Sequence, residues 1–432
     1  MSVTVTDSYQ CTAILIAAPA SGQGKTVFCA ALARRWKNQG KRIQVFKIGP
    51  DYLDPTILEK ASGTVVFNID LWMMGELHCR NLLARAAAQN DILLIESVMG
   101  LHDNSPSSAQ LASLFKLPVC LIIDAAKSAQ TTAAIVEGIG QYGVGATIEA
   151  VVGNKVGSDN HHRLLRDAIG TKYAGSIRRD ARMSLPERHL GLVQAVDIED
   201  LDRQLDLAAE ALTEFDISVP LLPVVFEQPI HDTGTDQLLS RKRIAIARDA
   251  AFSFIYPANI QFLESMGASL VYFSPLANHP LPECDALWLP GGYPELHLSR
   301  LAAANLTRSS VISHHQSQKP ILAECGGMMY LCNSITDRQG VRAQACGVLD
   351  ANCEMQPRFQ GIGLQAVDYG QGEIRGHCLH HSSLITDIHA DRFSIRQDGT
   401  QGEAIYRLKR ATLSYMHHYF ASNPTATAAL FS

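Results

Sequence analysis

The sequence predicts an α/β protein made of two doubly wound domains. Three observations predict it. The chain has 432 residues, more than one ordinary core encloses. Short apolar runs alternate with helix-period stretches in both halves, the pattern of a mostly parallel sheet covered on both faces. Between the halves, around residues 215–240, the alternation lapses into Ile217-Ser-Val-Pro-Leu-Leu-Pro-Val-Val, Pro229 and His231-Asp-Thr-Gly-Thr, which reads as a linker. The boundaries that follow are 1–225 for a first domain and 240–432 for a second.

In the first half, residues 13–18, 43–48, 92–95, 119–123 and 150–152 are apolar runs of strand length, bounded by turn residues. Residues 25–39, 76–89 and 129–139 carry the helical period between them. In the second half, residues 243–247, 269–273, 286–289 and 320–323 are predicted strands, with helices over 255–266 and 294–303. No repeat or low-complexity segment interrupts the pattern.

Composition narrows the class. Hydrophobic residues make up 47% and charged residues 18%, which places the chain among globular proteins and not disordered ones. A formal net charge of -5 advertises neither a nucleic-acid nor a membrane partner. The apolar runs fall short of a membrane span, and no secretory signal pattern opens the chain. The ten cysteines are scattered, with no Cys-x-x-Cys pair of the zinc-site kind, so a reduced, cytoplasmic enzyme is expected.

The first candidate site follows the first strand, at Ala18-Pro-Ala-Ser-Gly-Gln-Gly-Lys-Thr26. A glycine-rich turn from strand to helix presents backbone N–H groups at the positive end of the helix dipole, which binds phosphate. Ser21, Gly22, Gln23, Gly24, Lys25 and Thr26 are therefore expected at ATP, with Lys25 on the terminal phosphates and Thr26 on Mg²⁺. Pro19 stands where the usual motif has its first glycine. Lys47-Ile-Gly-Pro-Asp-Tyr-Leu-Asp54 and Leu94-Ile-Glu-Ser-Val-Met-Gly-Leu-His-Asp103 end two further strands, the edge at which doubly wound sheets bind ligands. Glu96 is the favoured metal contact, because an acid that ends an apolar strand needs a partner. Asp51 is a second metal candidate, and Leu53, Asp54 and Asp103 are candidates for substrate and phosphoryl transfer. Helix capping is the plainer alternative for Asp51 and Asp54. Asn154, at another strand end, is suited to an adenine edge or to a turn.

The second candidate site is Pro320-Ile-Leu-Ala-Glu-Cys-Gly-Gly-Met-Met-Tyr-Leu331, a strand that turns sharply into a helix at Cys325. Such an elbow exposes a nucleophile, and the helix N-terminus is expected to favour the thiolate. Leu289-Pro-Gly-Gly-Tyr-Pro-Glu295 ends a neighbouring strand, so Gly291 and Gly292, with Gly326, are candidate oxyanion donors. The base must be a histidine, and in Ser414-Tyr-Met-His-His-Tyr-Phe420 strand geometry lets only one of His417 and His418 face the cysteine. Spacing does not choose between them.

Taken in order, these motifs resemble the cobyrinic acid a,c-diamide synthase family, which includes the hydrogenobyrinic acid enzymes. The likeness also runs through Asn68-Ile-Asp-Leu-Trp-Met, Leu185-Pro-Glu-Arg-His-Leu-Gly-Leu192 and Asp249-Ala-Ala-Phe-Ser-Phe-Ile-Tyr-Pro257. The resemblance implies a dethiobiotin-synthetase-like P-loop domain joined to a class I glutamine amidotransferase-like domain. It implies Cys325 as nucleophile and His417 as its base, without the usual acidic third member. It implies glutamine and a tetrapyrrole polycarboxylate as partners, and stepwise amidation of the a and c acetates through acyl phosphates. A homodimer is compatible with the sequence, which does not fix the oligomeric state. The same chemistry on nickel sirohydrochlorin is the near alternative. Cobyric acid synthase fits the motif order less well, and a ParA-like regulatory ATPase has no use for the Cys325 elbow. The chain departs from the family pattern at Ser97 and Asn104, which stand for glycines, at Asn154-Lys155, and at Gly376-His-Cys-Leu-His-His-Ser382, where Gly-His-Glu-Phe-His-Tyr-Ser is common.

Overall fold

A computed structural model describes residues 8–143, 145–185, 187–188, 191–192, 194–214, 217–227 and 237–432. The chain divides into two compact units, Met1–His231 and Asp232–Ser432. The expected linker residues Pro229 and His231–Thr235 lie outside the described residues, as do Pro186, His189 and Leu190 of the Leu185–Leu192 motif.

In the first unit, strands β1 (Ser8–Ala17), β2 (Ile43–Ile48), β3 (Phe67–Ile69), β4 (Ile92–Glu96), β5 (Val119–Asp124), β6 (Ile148–Val156) and β7 (Tyr173–Arg178) form one sheet in the order β3-β2-β4-β1-β5-β6-β7. All neighbours on this path are parallel. Helix α1 (Lys25–Asn38) follows β1, and α2 (Asp54–Ser62) follows β2. The apolar runs predicted these strands because both faces of a parallel sheet are covered; Ile92–Glu96 is buried throughout. The crossover order puts the ends of β1, β2 and β4 side by side, with Glu96 in register with both Lys47 and Ile16.

The boundary expected at residue 225 falls inside a strand. Leu222–Glu227, read from sequence as linker, pairs antiparallel with the start of β1, Pro223 opposite Thr12. Pro220 before it and Pro223 within it gave the linker signal; an edge strand tolerates proline because one side of its backbone needs no partner.

The second unit begins as predicted. Ser269–Phe273, Arg243–Ala247, Ala286–Leu289, Ile321–Glu324 and Ala411–Ser414 lie parallel in that order. Their side chains alternate between two cores: Ala245, Leu287 and Cys325 on one face, Ile244, Trp288 and Leu322 on the other. The sheet then continues antiparallel through Gln401–Leu408, Arg392–Arg396, Gly361–Asp368, Glu373–His380 and His417–His418. This extension was not anticipated from the sequence. It brings the C-terminal histidine pair beside Gly376 and His377. No described helix is long and apolar enough to cross a membrane.

Candidate active site

The phosphate-type loop adopts the conformation its glycines permit: Gly22 has φ 74° and Gly24 has φ 95°. A side chain on Gly24 would run into the Asn154 amide. Asn154 Nδ2 donates to Gln23 O at 2.8 Å, while its Oδ1 accepts from Lys155 N at 2.9 Å. The amide expected to read an adenine edge is thus engaged at both ends, in the turn role weighed against it, and it ties the loop to β6. Gln23 Oε1 accepts from Asp124 N at 2.7 Å and ties the loop to β5. Lys25 is buried, and its Nζ donates to Met99 O at 2.6 Å and Ala20 O at 3.2 Å.

Beside it lies a cluster of charge. Thr26 Oγ1 donates to Glu96 Oε1 at 2.7 Å and to Asp54 Oδ2 at 3.2 Å. Lys47, only 3% exposed, contacts Asp54, lies 2.9 Å from Glu96 Oε1, and stands 3.7 Å from Asp51 Oδ2. Burial pushes the Glu96 carboxyl upward against the pull of Lys47. At Asp54 burial also acts upward, but Lys47 overrides it and holds the carboxyl low. Asp51 Oδ1 accepts from the N–H groups of Leu53 and Asp54, so Asp51 takes the capping role as well as facing Lys47. Asp103, grouped with these acids from the sequence, instead closes its own loop by accepting from Gly100 N at 2.8 Å. Asn104 has φ 68°, a conformation asparagine tolerates, which explains how it replaces a glycine there; Ser97 sits buried with no positive φ to meet.

One oxygen of this cluster points to a cation. Glu96 Oε2 is buried with no hydrogen-bond partner, next to an Oε1 that holds Thr26 and Lys47. An orphaned carboxylate oxygen beside a threonine hydroxyl is a hard donor set, which suits Mg²⁺. The sequence signalled Glu96 but gave Lys47 no role, since a lysine at a strand end is ordinarily solvated. Replacing Lys47 with methionine should leave three carboxylates uncompensated and destabilise the first unit by about 3–5 kcal/mol. Urea melts should show the deficit shrinking as pH falls and the acids take up protons. A deficit that does not change with pH would assign the loss to packing.

In the second unit Cys325 sits at the elbow with φ 47° and ψ −109°, and its N–H donates to Ser414 O at 2.7 Å. A non-glycine residue with positive φ is strained, and such strain persists only where surrounding structure enforces it. A side chain on Gly326 would lie 3.0 Å from Gly292 N, and one on Gly291 would overlap His417. The two glycine turns and the histidine therefore share one small space. His417 stacks on His377 with ring centroids 5.0 Å apart and faces Phe254 at 6.0 Å.

The two C-terminal histidines diverge as strand neighbours must. His418 Nδ1 lies 2.8 Å from Glu324 Oε1 and its Nε2 lies 2.9 Å from Tyr369 Oη. Trp288 Nε1 also donates to Glu324, at 2.9 Å. His418 and the acid preceding the cysteine thus form a buried network of their own, and His417 is the one at the glycine turn. Glu324 and His377 were not picked out from the sequence, which offers no local signal for their pairing, and His418 was weighed there only as the alternative base. One expectation is corrected. Burial, then Glu295, pushes the Cys325 thiol well up, so a six-residue helix does not make it a resting thiolate. Burial, then His377, drives His417 down to about 3. These shifts favour a thiol at Cys325 and a neutral imidazole at His417 near neutral pH. The altered stretch Gly376–Ser382 proves to run alongside His417 and to bear on this site.

Comparisons with known proteins agree with this division. Residues 14–193 match the CobQ/CobB/MinD/ParA nucleotide binding domain, and residues 243–425 match the CobB/CobQ-like glutamine amidotransferase domain. The chain is 46% identical over 429 residues to hydrogenobyrinate a,c-diamide synthase of Pseudomonas aeruginosa, covering 98% of each. It is 47% identical over 427 residues to the Stutzerimonas stutzeri protein of that name, covering 98% of this chain and 99% of the relative. It is 45% identical over 423 residues to cobyrinate a,c-diamide synthase of Herminiimonas arsenicoxydans, covering 97% and 96%. On this likeness over nearly its whole length, the chain belongs to the hydrogenobyrinate and cobyrinate a,c-diamide synthase family, glutamine-dependent ligases that join a nucleotide-binding half to a glutamine amidotransferase half.

Proposed function

We propose that the protein amidates the a and c acetate carboxylates of hydrogenobyrinic or cobyrinic acid, using ATP and glutamine, in cobalamin biosynthesis. What carries the reading is that one chain holds both a phosphate-type loop beside an orphaned Glu96 oxygen and a strained cysteine elbow at a histidine. The first activates a carboxylate; the second makes ammonia.

A carboxylate is a poor electrophile. Attack of its oxygen on the terminal phosphate of ATP forms an acyl phosphate and releases ADP. The loop N–H groups and Lys25 bind and orient the phosphates, with Lys25 leaving the carbonyls of Met99 and Ala20 for them. Thr26 and Glu96, with Asp51, would hold Mg²⁺, which supplies charge neutralisation on the phosphates. Lys47 holds the Asp54 carboxyl low and opposes the upward push of burial on Glu96. In the second unit the Cys325 sulfur attacks the glutamine amide carbon while its proton passes to His417 and on to the leaving ammonia. Gly326 and Gly292 N–H groups receive the oxyanion. Water then cleaves the thioester to glutamate, and ammonia displaces phosphate from the acyl phosphate.

The names of the relatives favour a corrinoid acceptor over nickel sirohydrochlorin. Mass spectrometry of products from cobyrinic acid, hydrogenobyrinic acid and nickel sirohydrochlorin tests it. A doubly amidated corrinoid-type product is expected; amidation of nickel sirohydrochlorin alone would overturn the acceptor assignment and leave the ligase chemistry standing.

A further inference from the structure

Among the described residues, one group of side chains has the donor set of a soft metal site, lies close enough to Cys325 and His417 for their charges to be felt, and has been given no role above. Cys378 and His380 lie two apart on the strand Glu373–His380 and so share a face. Glu403 reaches them from Gln401–Leu408, and the three donor atoms lie within 4.8 Å of one another. Cys378 Sγ is 3.6 Å from Glu403 Oε1, and His380 Nε2 is 3.4 Å from Glu403 Oε2. Bonds of about 2.3 Å to sulfur and 2.0–2.2 Å to nitrogen and oxygen on one tetrahedral Zn²⁺ set edges of about 3.6 Å and 3.4 Å, so the carboxylate, which meets Cys378 with one oxygen and His380 with the other, would turn to bring a single oxygen to both.

The hydrogen bonds around the group fix where its lone pairs point. His380 Nδ1 lies 2.9 Å from Ser382 O, and a carbonyl only accepts, so Nδ1 carries the proton. Nε2 is aimed at the Glu403 carboxylate, and this buried atom has no hydrogen-bond partner. A cation placed between Nε2 and the carboxylate would give both a partner. A histidine that donates its other N–H to a backbone carbonyl is the arrangement metal ligands use. Further support surrounds the donors. Gln365 Nε2 donates to Cys378 Sγ at 2.8 Å, Gln365 Oε1 accepts from Glu403 N at 2.9 Å, and the His380 ring lies flat on Tyr415 with centroids 3.7 Å apart. Gly361 leaves room: a side chain there would overlap both His380 Nε2 and Glu403 Oε1.

We propose that Cys378, His380 and Glu403 form a site for a thiophilic divalent cation, with Zn²⁺ the fitting member. Binding replaces the Cys378 S–H bond with a sulfur–metal bond and releases the proton to solvent. The inference does not depend on the acceptor assigned above.

The test is titration of the full chain, stripped by chelator under reducing conditions, with Co²⁺. A saturable sulfur-to-cobalt charge-transfer band is expected, bleached by Zn²⁺. In Cys378→Glu the cation should still bind but without that band, and Zn²⁺ should raise the melting temperature of the wild type more than that of Cys378→Ser. Absence of the band in the wild type overturns the proposal whether or not the variants fold. So does a band of unchanged intensity in Cys378→Glu, which would place the sulfur ligand elsewhere.

Discussion

Cys325→Ser is expected to lower glutamine-dependent amidation by about 10⁴-fold or more while leaving ammonia-dependent amidation near the wild-type rate. Serine at the elbow keeps the volume and the turn, but its hydroxyl is a far weaker nucleophile beside an imidazole that burial holds neutral. The hydrogen bonds of Lys25, Thr26, Lys47 and Glu96 described above lie within the first unit. Two assays on one preparation check it, glutamine hydrolysis by released glutamate and amidation with ammonium salt as the nitrogen source. Loss of both activities together would remove the division of labour, and retention of glutamine hydrolysis would remove Cys325 as the nucleophile. Since the resting pair is thiol and neutral imidazole, alkylation of Cys325 should be slow without glutamine.

The parts of this enzyme legible in its sequence are those governed by local rules. A buried parallel strand must be apolar along its length, so Ile43–Ile48 and Ile92–Glu96 could be read directly. A sharp strand-to-helix turn needs small residues next to it, so Cys325-Gly-Gly marked itself. The antiparallel half of the second unit was not legible, because its strands mix exposed and buried positions with no strict alternation: Gly361–Asp368 has three consecutive buried residues, Gln365–Val367, after exposed Ile362. Partners across a sheet were hidden too. Lys47 gains its meaning from Glu96 on the adjacent strand, and Glu403 from Cys378 and His380, 25 and 23 positions away. The motif resemblance supplied His417, where spacing had left His417 and His418 equal. The structure commits His418 to Glu324 and Tyr369 and puts His417 at the Gly291 turn.

Lys25→Ala should act in the opposite sense to Cys325→Ser, cutting amidation by about a thousandfold whether glutamine or ammonia supplies the nitrogen. The ammonium is buried against Met99 O and Ala20 O, and burial pulls its proton affinity down with Glu96 only partly opposing it. A lysine held in this way is pre-positioned, so a phosphate oxygen needs only to replace two carbonyls as its acceptors. Alanine leaves those carbonyls and the loop N–H groups in place, so ATP can still bind weakly while the transferring phosphoryl group loses its fixed positive charge. The loss should therefore fall mainly on turnover, with a smaller change in the ATP concentration needed for half-maximal rate. Glutamine hydrolysis assayed alone reports whether the second unit is intact in the variant. Ammonia-dependent amidation at the wild-type rate in Lys25→Ala would rule out this loop as the site of carboxylate activation.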